Sequence, residues 1–191
     1  GWSKLDNLLE VHPDLDMEEV MAYAAKKEVK VMVWAIWNTF LQQEEEAWEV
    51  LEKWGISGIK FDFMNRDDQL MVQFYHHVAK EAAKREMVID FHGAYKPAGL
   101  RRTYPNVLTR EALIEFEYNG WTRHDTPQHH NLLPYIRMVA GPMDYIPYTT
   151  HNATPKNFRP VGDMPMGQGT RAHSMALFVI LESPMQMLPD S

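Results

Sequence analysis

GIKFDFMNRDDQ (Gly58–Gln69) sets an aspartate, Asp62, between Phe61 and Phe63 in a run that otherwise has the make-up of a buried strand, Gly58 to Met64. A carboxylate in such a place needs a partner or a chemical task. On its N-terminal side, Ala47, Val50, Leu51 and Trp54 mark an amphipathic helix closed by Gly55. Before that, VKVMVWAIW (Val29–Trp37) is a near-continuous apolar run of strand length, as expected of a parallel strand buried on both faces. Further upstream, DLDMEEVMAYAAKKE has Asp16 as N-cap with Glu19 three residues on, Leu15 placed to staple against Val20, and an apolar stripe through Met17, Val20, Met21 and Ala24. On the C-terminal side, Met71, Phe74, Tyr75, Val78 and Ala82 form another helical stripe, and MVIDFHG (Met87–Gly93) another strand.

The pattern extends, with weaker signals, to strands near Leu113–Tyr118, Gly141–Ile146 and Met185–Leu188, and to helices in NLLPYIRMV and TRAHSMALFVILES. The first four strands begin 26 to 29 residues apart, the length of a strand-helix unit with short loops, which predicts a parallel sheet. No Gly-rich phosphate loop follows any strand, which favours a (β/α)8 TIM barrel over a nucleotide-binding doubly wound sheet. Six strands are visible where a barrel has eight. The expectation is therefore one partial catalytic barrel over residues 1–191, covering about strands 3 to 8, with YTTHNATPKNFRPVGDMPMGQG as a long loop over the active face.

Composition narrows the function. The chain has 191 residues, 45% of them hydrophobic, enough for one sizeable core. A net charge of −7 argues against a nucleic-acid surface, and no apolar run approaches a membrane span. The absence of cysteine excludes disulfides and Cys-based zinc sites. His76, His77, His129 and His130 lack HxH or HExxH spacing and are not expected to bind metal.

In a barrel, chemistry belongs at the C-terminal strand ends. Asp62 ends one strand, Asp90 and His92 another, while Glu115 and Glu117 alternate along a fourth. Lys60 and Asp62, two apart, share a face. If the barrel's first two strands are absent, Asp62 falls on strand four and Glu117 on strand six, alternate strands that place residues in one interior layer. Two carboxyls facing across the mouth form a glycosidase pair, expected roughly 5 to 6 Å apart for a retaining enzyme. At about 5.5 Å and an effective dielectric of about 20, two carboxylates repel by about 3 kcal/mol, which favours one of them holding a proton.

GIKFDFMNRDDQ, DFHGAYKPAGLRRTYPN, TREALIEFEYNGW and MVAGPMDY together resemble glycoside hydrolase family 97, and the likeness runs along nearly the whole chain. The closer resemblance is to its retaining α-galactosidase branch. It implies Asp62 as nucleophile and Glu117 as acid/base, acting by double displacement on a small oligosaccharide or other α-galactoside. The inverting α-glucosidases of the family lack that aspartate and carry a glutamate base where this chain has Gly93. The resemblance also implies calcium near the site, with Glu111 and Glu117 at two ligand positions. A further ligand would come from an N-terminal domain, one of two flanking domains of the family that are expected to lie outside these 191 residues. Because calcium beside Glu117 would oppose its protonation, the ion is expected to act at long range or to be shared mainly through Glu111. A periplasmic bacterial enzyme is the implied setting.

Lys60 is expected to support Asp62 and to contact sugar hydroxyls, and Trp121 is a candidate sugar platform. His92 reads equally as a substrate contact or a loop anchor. Asp90 and Glu115 read as structural, and Trp34, Trp37, Trp48 and Trp54 as core. Two alternatives accompany the galactosidase reading: an α-glucosidase of the same family, and an inactive or carbohydrate-binding truncated barrel.

Overall fold

The computed structural model describes residues 2–147 and 150–188. It divides into two compact units, Gly1–Tyr95 with Leu100–Val107, and Lys96–Gly99 with Leu108–Ser191.

The first unit opens with a hairpin, β1 (Ser3–Lys4) and β2 (Asn7–Val11), and then alternates helices and strands: α1 (Met17–Lys26), β3 (Met32–Ile36), α2 (Trp37–Gln42), α3 (Glu44–Trp54), β4 (Gly58–Asp62), α4 (Gln69–Lys84), β5 (Val88–Phe91) and the short α5 (Leu100–Thr103). Local signals set the boundaries. Asp16 caps α1 by accepting from the Glu19 amide at 3.0 Å, and Asp68 caps α4 by accepting from Met71 at 3.1 Å. Gly55 ends α3 in the left-handed region, at φ 72°. Within the α1 stripe Met17 and Ala24 are buried, whereas Val20 stays exposed.

The sheet has the order β3-β4-β5-β6, the last strand (Val107–Arg110) entering at Val107, the final residue of the first unit. β3 and β4 run parallel from Met32 opposite Gly58 to Ile36 opposite Asp62, and β4 and β5 from Gly58 opposite Val88 to Phe61 opposite Phe91. A Cβ on Gly58 would lie 2.7–2.9 Å from Val88 and Met32 atoms, so glycine is what lets the three strands start together.

Alternation along β4 answers the question its sequence poses. Ile59 and Phe61 are fully buried, and the Phe61 ring meets Phe40 at 4.8 Å, Phe74 at 5.5 Å and Phe91 at 6.2 Å. The two edge-to-face contacts, with α2 and α4, each add about 0.5–1.5 kcal/mol beyond the area they bury. The period of two turns Lys60 and Asp62 to the opposite face, away from these aromatics. Phe63 does not extend the strand: it takes a left-handed φ of 61°, and its ring is 54% exposed. β4 thus ends at Asp62, two residues before the expected boundary.

The second unit continues β6 and adds a 3-10 turn at Phe116–Gly120, α6 (Pro127–Ile136), a 3-10 turn at Met138–Ala140, the short parallel pair β7 (Asn152–Ala153) and β8 (Gly167–Gln168), and α7 (Arg171–Ile180). Helices α6 and α7 overlap the segments the sequence predicts, α6 beginning four residues before Asn131 and ending at Ile136. Three predicted strands need correction. Leu113–Tyr118 is not a strand; the strand is β6, four residues long, and Ala112 turns the chain with φ 53°. Glu115 then caps the 3-10 turn by accepting from the Glu117 amide at 3.2 Å, so Glu115 and Glu117 do not alternate along a strand. Gly141–Ile146 contributes a single bridge, Met143 to Arg110, with the Asp144 amide donating to the Arg110 carbonyl at 2.9 Å. Pro142 and Pro147, lacking N–H groups, limit a longer ladder there. Met185–Leu188 forms no strand among the described residues, and Gln186 Nε2 instead donates to the Phe178 and Leu181 carbonyls at the end of α7. The predicted long loop holds β7 and β8; its first two residues, Tyr148 and Thr149, lie outside the described residues.

Candidate active site

In the first unit, Asp62 stands at the C-terminal end of β4, 8% exposed. Its Oδ2 accepts from the Trp34 indole Nε1–H at 2.8 Å, and its Oδ1 from the Phe63 amide at 2.5 Å. Trp34 reaches Asp62 because the register sets Ile36 opposite it, and Trp34, two residues earlier, lies on the same face. This corrects the sequence expectation for Trp34, which is only half-buried and lies outside the aromatic core.

Lys60 has a different partner from the one its spacing suggests. It lies directly opposite Asp90 on β5, and its ammonium stands 3.4 Å from the Asp90 carboxylate, which is fully buried. Lys60 and Asp90 thus pair across the β4–β5 ladder. His92, just past β5, is buried, with its amide donating to the Phe61 carbonyl at 2.7 Å. The next residue is Gly93, in the left-handed region at φ 56°. A Cβ there would lie 3.1 Å from Asp62 Oδ1, from Asn65 Oδ1 and from the Phe63 amide nitrogen, so the floor beside Asp62 has room for glycine and little else.

In the second unit, Glu111 follows β6 and is buried, while Glu117 sits half-buried in the 3-10 turn, each with a carboxylate oxygen within 4.8 Å of the other. Arg137, buried on α6's C-terminal side, fixes this strand end: its guanidinium donates to the carbonyls of Arg110 at 2.7 Å, Glu111 at 2.9 Å and Gly141 at 3.0 Å. Burial, and then Arg110 nearby, push the Arg137 pKa down to about 10, opposed by Glu111, and the group stays charged at neutral pH. Trp121 closes the 3-10 turn, 57% exposed and tilted against Tyr118 at 5.2 Å.

A second polar cluster in this unit was not foreseen. Buried Asp125 accepts from Asn119 Nδ2 at 3.0 Å, and His130 bridges it, at 2.8 Å on each side, to His173 on α7. The Tyr145 hydroxyl also donates to Asp125, at 3.3 Å; burial first, then Asp125 and Glu115, hold its pKa well above the usual phenol value. Asn119 is two residues from Glu117, so the cluster anchors the turn that carries it. His130 is thus a structural hydrogen-bonding residue, and His129 Nε2 donates to the Ile114 carbonyl at 2.8 Å. No spacing in the sequence signals contacts that span 43 residues, as His130 and His173 do.

Comparison with known proteins supplies the context for these carboxylates. The model of the family "Glycoside hydrolase 97" matches residues 1–113, a stretch that includes Lys60, Asp62, His92 and Glu111 and stops short of Glu117 and Trp121. The chain is 40% identical over 195 residues to a retaining alpha-galactosidase of Bacteroides thetaiotaomicron, matching 100% of this chain and 30% of that protein. It is 31% identical over 172 residues to a probable retaining alpha-galactosidase of Streptomyces bingchenggensis, matching 89% of this chain and 25% of that one. Among solved structures, a glycoside hydrolase family 97 enzyme from Pseudoalteromonas sp. strain K8, in complex with panose, superposes with a TM-score of 0.79 at 29% identity, over 95% of this chain and 30% of that one.

The class of sequence that the fold and these likenesses define is that of the glycoside hydrolases. Within it, the chain belongs to glycoside hydrolase family 97. It spans 30% of the length of the first of these curated relatives and 25% of the second.

Proposed function

We propose that this chain carries the catalytic carboxylates of a retaining α-galactosidase, with Asp62 as nucleophile and Glu117 as acid/base. The observation that carries the reading is Asp62 itself: a buried carboxylate at a parallel strand's C-terminal end, oriented by two N–H donors, beside a glycine where a larger residue would crowd it. A side chain held in one rotamer in this way is suited to attack at one carbon. The relatives in Bacteroides and Streptomyces, named for the same activity, support the substrate class.

In the first step an Asp62 oxygen bonds to the anomeric carbon as the glycosidic C–O bond breaks, and the Glu117 carboxyl gives its proton to the departing oxygen. In the second, Glu117 takes a proton from water, the water oxygen bonds to the same carbon, and the ester electron pair returns to Asp62. Two inversions leave the product with the configuration of the substrate. His92 and Trp121 are proposed to contact the sugar, together with Lys60 from its place beside Asp90.

Calcium fits the chemistry of Glu111 and Glu117, two carboxylates whose oxygens lie within 4.8 Å, since this ion takes six to eight oxygen ligands. When bound, it would supply positive charge beside the reacting sugar. A periplasmic setting is proposed on the family alone. The reading is tested by hydrolysis of 4-nitrophenyl α-galactoside and α-glucoside by the intact gene product, with the first-formed anomer followed by proton NMR. Faster cleavage of the galactoside with release of α-galactose is expected. Preference for the glucoside, or release of the β-anomer, would overturn it.

A further inference from the structure

We infer that Trp34 is a positioning residue for Asp62 whose indole N–H serves chiefly the second half of the reaction, the release of the sugar; this rests on the nucleophile reading above. The geometry is direct. Trp34 Nε1 lies 2.8 Å from Asp62 Oδ2, from the neighbouring strand and on the same face. The backbone that carries it is held, since the Trp34 carbonyl accepts from Trp2 Nε1 at 2.6 Å, and the indole ring meets Phe63 edge-on at 5.9 Å. An indole has a single N–H, and here its acceptor is the Asp62 carboxylate.

The consequence follows from where the charge resides. A hydrogen bond to a carboxylate is charge-assisted, and it weakens when the carboxylate becomes a neutral ester. During glycosylation Asp62 passes its electron pair to the anomeric carbon and loses charge, so the N–H contributes orientation while opposing the charge transfer. During deglycosylation water adds to the anomeric carbon, Glu117 takes the proton, the C–O ester bond breaks and the pair returns to Asp62. Here the N–H favours both orientation and the returning charge. Loss of the donor therefore slows release of the sugar more than its capture, and the glycosyl-enzyme accumulates.

The test is Trp34→Phe in the intact gene product, alongside Asp62→Gly, with 4-nitrophenyl α-galactoside as the probe. A second form of position 34, with 3-benzothienylalanine in place of tryptophan, keeps the bicyclic shape and the contact with Phe63 and removes only the N–H; it decides the matter if the phenylalanine variant fails to fold. Loss of a hydrogen bond to a charged group is expected to lower kcat by about 10- to 100-fold. KM should fall in parallel, leaving kcat/KM within a severalfold range, and a stopped-flow burst of one equivalent of nitrophenol should precede the slow phase. Equal losses of kcat and kcat/KM without a burst, or wild-type kinetics in the benzothienyl form, would overturn the inference while an inactive Asp62→Gly leaves the nucleophile reading standing. Near-normal hydrolysis by Asp62→Gly would overturn both.

Discussion

Replacing Gly93 by alanine perturbs the Asp62 pocket by one methyl group, and its two effects are separable. At φ 56° the backbone is left-handed, which costs a residue with a Cβ about 1–2 kcal/mol. Gly55 has a similar φ of 72° with nothing within 4 Å of its would-be Cβ, so Gly55→Ala measures that strain alone. At Gly93 the same methyl also meets Asp62 Oδ1, Asn65 Oδ1 and the Phe63 nitrogen, each at 3.1 Å, against an ordinary contact starting at 3.4 Å. The carboxylate must retreat by about 0.3 Å. If a 1 Å misplacement costs roughly 100-fold in rate, this retreat costs about fourfold, and with the hydrogen bonds at both oxygens disturbed a loss of about three- to tenfold in kcat/KM is expected. Chemical denaturation and 4-nitrophenyl galactoside kinetics on both variants supply the comparison. Gly93→Ala should be less stable than wild type by more than Gly55→Ala is, and should lose activity that Gly55→Ala keeps. Wild-type kcat/KM in Gly93→Ala, with no stability loss beyond that of Gly55→Ala, would refute the crowding at Asp62.

Three further outcomes are expected. Glu117→Gln should slow poor leaving groups by roughly 10²- to 10⁴-fold while a dinitrophenyl galactoside, whose phenol departs without a proton, still glycosylates the enzyme in a burst; uniform loss over both substrates would contradict the acid role. Burial, and then His130, hold the His173 pKa below its ordinary 6.5, with Asp125 opposing. The unfolded chain therefore binds the extra proton first, so stability present above pH 6.5 should decline as pH falls below it toward the lowered value. Denaturation curves from pH 7.5 to 5 should show a shallower decline for His173→Gln than for wild type, and identical slopes would count against the His130–His173 contact. Calcium binding to the 191-residue chain, titrated calorimetrically, should be weaker than about 10⁻⁴ M, because two carboxylates supply only part of the six to eight oxygens the ion takes; tight binding would show a complete ligand set within this chain.

The parallel sheet was legible because its parts are signalled locally. The apolar run of β3, the capped start of α1, the apolar stripe of α4 and the Gly55 stop each depend on residues close together in the chain. Where two elements meet without a punctuating residue the reading failed: Trp37 continues the apolar run of β3 and yet begins α2. The second unit was harder, since β6 is only VLTR and the more strand-like LIEFEY bends at Ala112 and coils into a 3-10 turn. At the site, the buried position of Asp62 could be read from its neighbours in the chain, but its partners could not. Lys60, two residues away and on the same face, was the natural choice. The β4-β5 register sets it opposite Asp90, while the partner of Asp62 is an indole 28 residues upstream. The clamp of Arg137 on Arg110 and Glu111, across 27 and 26 residues, depends likewise on packing that no local pattern encodes.

The central claim is that Asp62 attacks the sugar, and the most direct measurement is chemical rescue of Asp62→Gly in the intact gene product. The variant should be inactive on 4-nitrophenyl α-galactoside in buffer. With sodium azide, a small anion can enter the space left by the carboxylate and attack the anomeric carbon from the same side, and NMR should identify the product as β-galactosyl azide, inverted relative to the substrate. Near-normal hydrolysis by Asp62→Gly, or an α-configured azide, would contradict the assignment.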